Sequence, residues 1–175
     1  LDTPTNICVQ YATYKKVINV PNPNKAYYLI YQRCCRNNSI VNVVPAQTTP
    51  SLTMPGATYI TRIPPTNTYQ NSSAVFAKFP PKFICKGVQF TYNHSASDPD
   101  GDSLSYELYT PYLGLDGSAP STTAPTLDTA PITWKAPYSL SNVLGGTPLS
   151  IDQNGVLTCT PNTIGQFVVG VRVNE

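Results

Sequence analysis

Residues 90–108 read FTYNHSASDPDGDSLSYEL, and this stretch decides the fold class. Phe90, Tyr92 and the alternation toward Ala96 describe a strand, and Leu104, Tyr106 and Leu108 describe a second. Between them Asp98-Pro99-Asp100-Gly101-Asp102 forces a reversal. Pro99 fixes one backbone angle and Gly101 accepts a positive φ. Three aspartates are thereby held together at one end of a β-structure. Close anions repel unless they are solvated or share a cation, so this turn is the first candidate site.

Composition extends the same reading. Twelve tyrosines and many Val and Thr residues favour strands, and 18 prolines in 175 residues interrupt helices. Only 11% of residues are charged and the net charge is +2. The 11 Lys and Arg are scattered, with no run longer than Lys15-Lys16. Nucleic acid is therefore a poor partner on electrostatic grounds. No apolar stretch approaches the ~20 residues of a membrane-spanning helix. The chain does not open on a signal peptide, so an exported protein would here be a mature or excised piece, and its natural chain is expected to run on past Glu175.

Taken in order, residues 8–20 carry strand-like runs, and AYYLIYQR (26–33) alternates strongly. SIVNVV (39–44) and residues 57–63 follow as strands around a Pro/Thr-rich loop. From residue 82 onward strands are expected at 83–85, 88–96, 103–108, 132–134, 149–151, 156–158 and 166–173. Residues 110–131 form a long loop without periodicity. Short strands separated by Gly/Pro turns predict an all-β chain with an immunoglobulin-like β-sandwich over 78–175. A smaller N-terminal β-domain is expected over 1–77.

Of the five cysteines, none forms a Cys-x-x-Cys pair, and His94 is the one histidine, which argues against structural zinc. On a strand, the adjacent Cys34 and Cys35 would face opposite ways. Each is then expected to seek a distant partner, Cys8 or Cys85, in an order left open. Two such disulfides imply an oxidising, extracytoplasmic compartment. Cys159 is left over.

The segments VFAKFPPKFICKGVQFTYNHSASDPDGDSLSYEL (75–108), ITWKAPY (132–138) and LSIDQNGVLTCTPNTIGQFVVGVRVNE (149–175) resemble cadherin-like and PKD-like modules of bacterial surface proteins. The turn from Gly155 to Pro161 before a closing Phe-x-Val-x-Val strand belongs to that pattern. YYLIYQRCCRNNSIVN (27–42) and NSSAVF (71–76) resemble secreted multidomain proteins of Bacteroidota, including SprB-like gliding-motility adhesins exported by the type 9 secretion system. Tyr109 stands where related modules often carry Cys, and Cys159 where they usually carry Gly. The resemblance implies a secreted, cell-surface location, and neighbouring modules, surface glycans or other surface proteins as partners. It also implies O-glycosylation at Asp-Ser/Thr-aliphatic sites, here Ser103 and Thr129.

Asp98, Asp100 and Asp102 offer hard oxygens suited to Ca²⁺, the one cofactor for which the sequence offers a candidate site. The spacing is not that of an EF-hand. The other reading, and the favoured one, is a tight turn whose aspartates cap backbone amides. Gly101-Asp102-Ser103-Leu104 spells an esterase signature, yet the only histidine lies upstream and no α/β pattern surrounds it. A serine without a positioned base is a weak nucleophile, so no enzyme is expected. Tyr11, Tyr14, Tyr27, Tyr28 and Tyr31 form either a core-packing set, which is favoured, or a ladder for stacking on sugar rings. The expected function is a non-enzymatic structural or adhesive module, with a carbohydrate-binding module as the alternative.

Overall fold

A computed structural model of the chain describes residues 12–47, 52–67, 70–114 and 130–175. Among the described residues there is no helix, and the fold is all-β with antiparallel sheets. The strands are β1 (Tyr27–Arg33), β2 (Ala46–Gln47), β3 (Leu52–Thr53), β4 (Ala57–Ile63), β5 (Val75–Phe76) and β6 (Phe90–Asn93). They continue with β7 (Ala96–Ser97), β8 (Ser105–Leu108), β9 (Tyr112–Leu113), β10 (Ser150–Ile151), β11 (Val156–Cys159) and β12 (Val171–Asn174).

The largest ladder joins β1 to β4 in full register, from Tyr27 opposite Ile63 to Arg33 opposite Ala57, and β9 extends it on the far side of β4. A second sheet runs β10-β11-β6, and β12 pairs with β8. These last two face one another across a core of Val143, Leu144, Leu149, Leu157 and Cys159. Phe90, Tyr92 and Ile151 close it from one layer, Leu108 and Val171 from the other. Burial of such side chains contributes roughly 1.5–3 kcal/mol each. A smaller core holds Val43, Met54 and Ile132. Trp134 touches both, and its indole N–H donates to Thr110 Oγ1 at 3.2 Å.

Local chemistry places the turns. The Gly101 N–H donates to the Asp98 carbonyl at 3.3 Å with Gly101 at φ 85°. Gly155 at φ 80° closes the Asp152 turn in the same way, at 3.0 Å. The strands on either side of the Asp98 turn nevertheless go to different sheets. β7 pairs with β5, and β8 pairs with β12. The Tyr106 hydroxyl keeps the two arms together by accepting the Ala96 N–H at 2.8 Å.

Several expected strands are not continuous ladders. Residues 12–20 form none and leave Tyr14 and Val17 exposed. Residues 83–85 form none either; they follow Pro80-Pro81, and proline has no N–H to give a ladder. Residues 39–44 and 132–134 form isolated bridges rather than ladders, Ile40 with Gln166 and Val43 with Trp134. Those bridges, the β4–β9 and β5–β7 pairs and the contacts of Asn42 all cross the boundary expected between residues 77 and 78.

Asn42 explains why segment 39–44 is not an ordinary strand. Its side chain is fully buried and every polar group on it is used. The amide N–H groups donate to the carbonyls of Val168 at 2.8 Å and Val143 at 3.2 Å, and Oδ1 accepts the Val168 N–H at 2.9 Å. One side chain thus takes the place of a ladder rung, tying three segments that no sheet joins.

Candidate functional site

Two places gather polar side chains: the aspartate turn, and a cleft between the β1–β4–β9 sheet and the β8–β12 pair. At the turn, Asp98 Oδ1 accepts the N–H groups of Asp100 at 2.8 Å and Asp102 at 3.2 Å. This is amide capping by a short acidic side chain. Asp100 does not join its neighbours, because its carboxylate accepts the N–H of Ser72 instead. The third carboxylate comes from Glu175. Oxygens of Asp98, Asp102 and Glu175 lie within 4.8 Å of one another. Glu175 is fixed there by the Ala74 N–H at 2.6 Å and the Asn71 amide at 2.8 Å. The carboxylates that converge are thus Asp98, Asp102 and Glu175, where the sequence alone offers Asp98, Asp100 and Asp102. Asp98 Oδ2 is buried with no hydrogen-bond partner. Three hard oxygens fit part of a Ca²⁺ shell, which needs 6–8.

Ser103 is exposed on the same turn, whereas Thr129, the other expected glycosylation position, lies outside the described residues. The histidine does not serve Ser103. His94 stacks on Phe76 with ring centroids 4.2 Å apart, its Nδ1 has no partner, and burial pushes its pKa down.

The cysteines are arranged otherwise than expected. The sulfurs of Cys34 and Cys35 lie against one another, Cys85 is an exposed free thiol, and Cys8 lies outside the described residues. β1 ends at Arg33, so strand alternation does not extend to Cys34 and Cys35 and does not send them to opposite faces. Cys159 is a free thiol buried in the main core, and burial pushes its pKa up.

The cleft encloses about 770 Å³. One wall comes from the side of β1 and β4 that carries Tyr28, Thr58, Ile60 and Arg62, the other from residues 168–173, with Tyr109 and Tyr112 between them. Arg36 reaches in from the segment after β1. Its guanidinium donates to the carbonyls of Pro55 at 3.1 Å, Tyr112 at 3.0 Å and Gly56, and among the described residues it has no carboxylate partner. Partial burial lowers the Arg36 pKa, but an arginine stays protonated at any ordinary pH. Tyr109 and Tyr112 meet edge to face at 5.3 Å, and the Arg172 guanidinium lies 4.6 Å from the centre of the Tyr109 ring. Burial, reinforced by the neighbouring Tyr112, raises the Tyr109 pKa, so its hydroxyl stays neutral. Arg172 also pairs with Glu107 at 2.7 Å. Glu107 is held below the usual carboxylate range by the Asn174 amide and then by Arg172.

Tyr28 and Tyr59 line the cleft, and Tyr59 also pairs across the strands at 6.1 Å with Tyr31, which is 56% exposed beside Leu29, also 56% exposed. An exposed cross-strand pair of this kind is not the core packing favoured from sequence. Tyr11 lies outside the described residues. Arg36, the arginine that closes the cleft, was not singled out in the sequence. The sequence signal was its place in the QRCCRNN run, where Gln32 bonds Thr58 at 3.1 Å and Asn38 accepts the Met54 N–H at 3.3 Å. No family model matches the chain, and neither a curated protein nor a solved structure matches it.

Proposed function

We propose that this chain is a structural or adhesive module of a secreted, cell-surface protein, built on an immunoglobulin-like sandwich over its C-terminal part. The observation that carries the reading is the outer face of β1 and β4, where Leu29, Tyr31 and Tyr59 form an exposed apolar patch on a fully registered ladder. Rigid aromatic side chains lose little entropy on contact, and a ladder cannot fold them away from a partner surface. Beads carrying the chain should be retained under flow on glycan-coated and on cell-derived surfaces. The double variant Leu29→Ser/Tyr31→Ser should lose most of that retention while melting at an unchanged temperature, since both side chains are exposed. Equal detachment of the two bead populations sinks the adhesive reading. The alternative, a carbohydrate-binding module, is favoured by the same tyrosines. It replaces the first reading if a glycan array shows one saturable ligand whose binding disappears with Tyr31.

A calcium ion at Asp98, Asp102 and Glu175 belongs to the same proposal, with neighbouring modules as the source of further oxygens. Binding to the folded state alone would stabilise it by ~1.4 kcal/mol at about ten times the dissociation constant, which is roughly 3–6 °C in a chain of this size. Millimolar calcium should therefore raise the melting temperature. Asp98→Asn should abolish the gain and Asp100→Asn should not, because the Asp100 carboxylate is directed to Ser72. Superimposable melting curves in calcium and in chelator would leave amide capping as the full account of the turn.

A further inference from the structure

The cleft beneath β1 and β4 has an unusual charge balance for so uncharged a chain. Arg36, Arg62, Arg172 and His94 line it, and among the described residues no carboxylate does. Of the three guanidinium groups only Arg172 has an acidic partner among the described residues. Arg36 spends three bonds on carbonyls, and its remaining donors of the five make no further bond among the described residues. Arg62 is exposed at the end of β4, with neither an ion pair nor a side-chain hydrogen bond among the described residues. Between the arginines stand the rings of Tyr28, Tyr109 and Tyr112. The volume of about 770 Å³ falls within the roughly 300–1,000 Å³ usual for small-ligand sites.

We propose that this cleft binds an acidic saccharide, a short pyranose oligomer carrying carboxylate or sulfate groups. Arg62 and the unspent donors of Arg36 take the anionic groups, and the tyrosine rings take the apolar faces of the sugar. Two features favour a saccharide over an acidic peptide. Edge-to-face packing of Tyr109 and Tyr112, with the ring planes 83° apart, holds both rings in fixed orientations against which a sugar can rest. The positive groups are also spread rather than clustered. Arg62 lies four residues along β4 from Thr58, which is opposite Tyr112, so these positions are roughly 13 Å apart. The Arg36 guanidinium bonds the Tyr112 carbonyl, so this span separates the two cations by about two to three sugar rings and suits charges borne on separate rings of a short oligomer. Guanidinium forks match carboxylate and sulfate geometry, and they act more strongly beside low-dielectric walls than in open water.

The inference rests on the alternative reading of the chain as a carbohydrate-binding module, but neither Leu29 nor Tyr31 lines the cleft. Titration calorimetry at low salt should show tetragalacturonate or a chondroitin sulfate tetrasaccharide binding, with neutral maltotetraose silent. Affinity should fall as salt rises. Arg62→Gln should weaken binding by roughly tenfold or more. The exposed and unbonded Arg62 side chain can be lost without change in melting temperature, and Lys135→Gln, outside the cleft, should leave affinity unchanged. Leu29→Ser/Tyr31→Ser should keep full saccharide affinity, so failure of the cleft and failure of the adhesive face are separable. The proposal is overturned by no binding of either acidic tetrasaccharide at millimolar concentration, by equal binding of the neutral one, or by an Arg62→Gln affinity equal to that of the parent. Tighter binding of penta-glutamate than of either saccharide overturns it in favour of an acidic peptide.

Discussion

Asn42→Ala should lower the free energy of unfolding by about 3–5 kcal/mol. The side chain is buried completely, and its amide holds the Val168 N–H, the Val168 carbonyl and the Val143 carbonyl. Truncation leaves those three backbone groups without partners in a space that alanine does not fill. Each orphaned group costs about 1–3 kcal/mol, and the vacated volume adds to that. Asn42→Leu should be no better, since it fills the space but satisfies nothing. Chemical denaturation followed by Trp134 fluorescence measures the effect, because the indole packs against both cores. A loss under about 1 kcal/mol would show that water or a backbone shift replaces the network, and the account of segment 39–44 would have to be withdrawn.

Gly170→Ala should be similarly severe, by a different route. Gly170 is buried where the chain enters β12, and its carbonyl accepts the Tyr109 N–H at 2.8 Å. A methyl group there would overlap the Tyr109 carbonyl oxygen and approach Pro111 Cγ and Cδ at 2.9 and 3.0 Å. The obstacle is mostly backbone and a proline ring, so no rotamer change relieves it. Residues 109–111 must move away from β12, which loosens the Arg172–Tyr109 contact and widens the cleft. We expect a loss of at least ~3 kcal/mol, seen as a melting temperature lower by roughly 10 °C. Gly101→Ala is the comparison. Nothing lies within 4 Å of its added methyl, and only the positive φ of 85° is unfavourable, at about 1–2 kcal/mol. If the two alanine variants melt together, close packing at Gly170 is not what holds residues 109–111 in place.

How much of this was legible in the sequence depends on how far each feature reaches along the chain. β4 over 57–63 and β1 over 27–33 follow from alternation and β-propensity, both properties of neighbouring residues. The turns at Asp98–Gly101 and Asp152–Gly155 follow from the few residues that tolerate a positive φ and cap their own amides. These elements fix an all-β chain before any pairing is known.

Pairing itself was decided elsewhere. No local signal sends β7 and β8, the two arms of one turn, to different sheets. That choice is made by β5 and β12, each of which must satisfy its own backbone groups. The same holds for the site. The turn sequence supplied Asp98 and Asp102, but Glu175 joins them from the far end of the chain, and Ser72 draws Asp100 away. Arg36, Arg62 and Arg172 are scattered singly along a weakly charged sequence and look unremarkable there. They meet in one cleft only because β1 and β4 fold over residues 168–173, where Arg172 is paired with Glu107 while Arg36 and Arg62 have no acidic partner among the described residues.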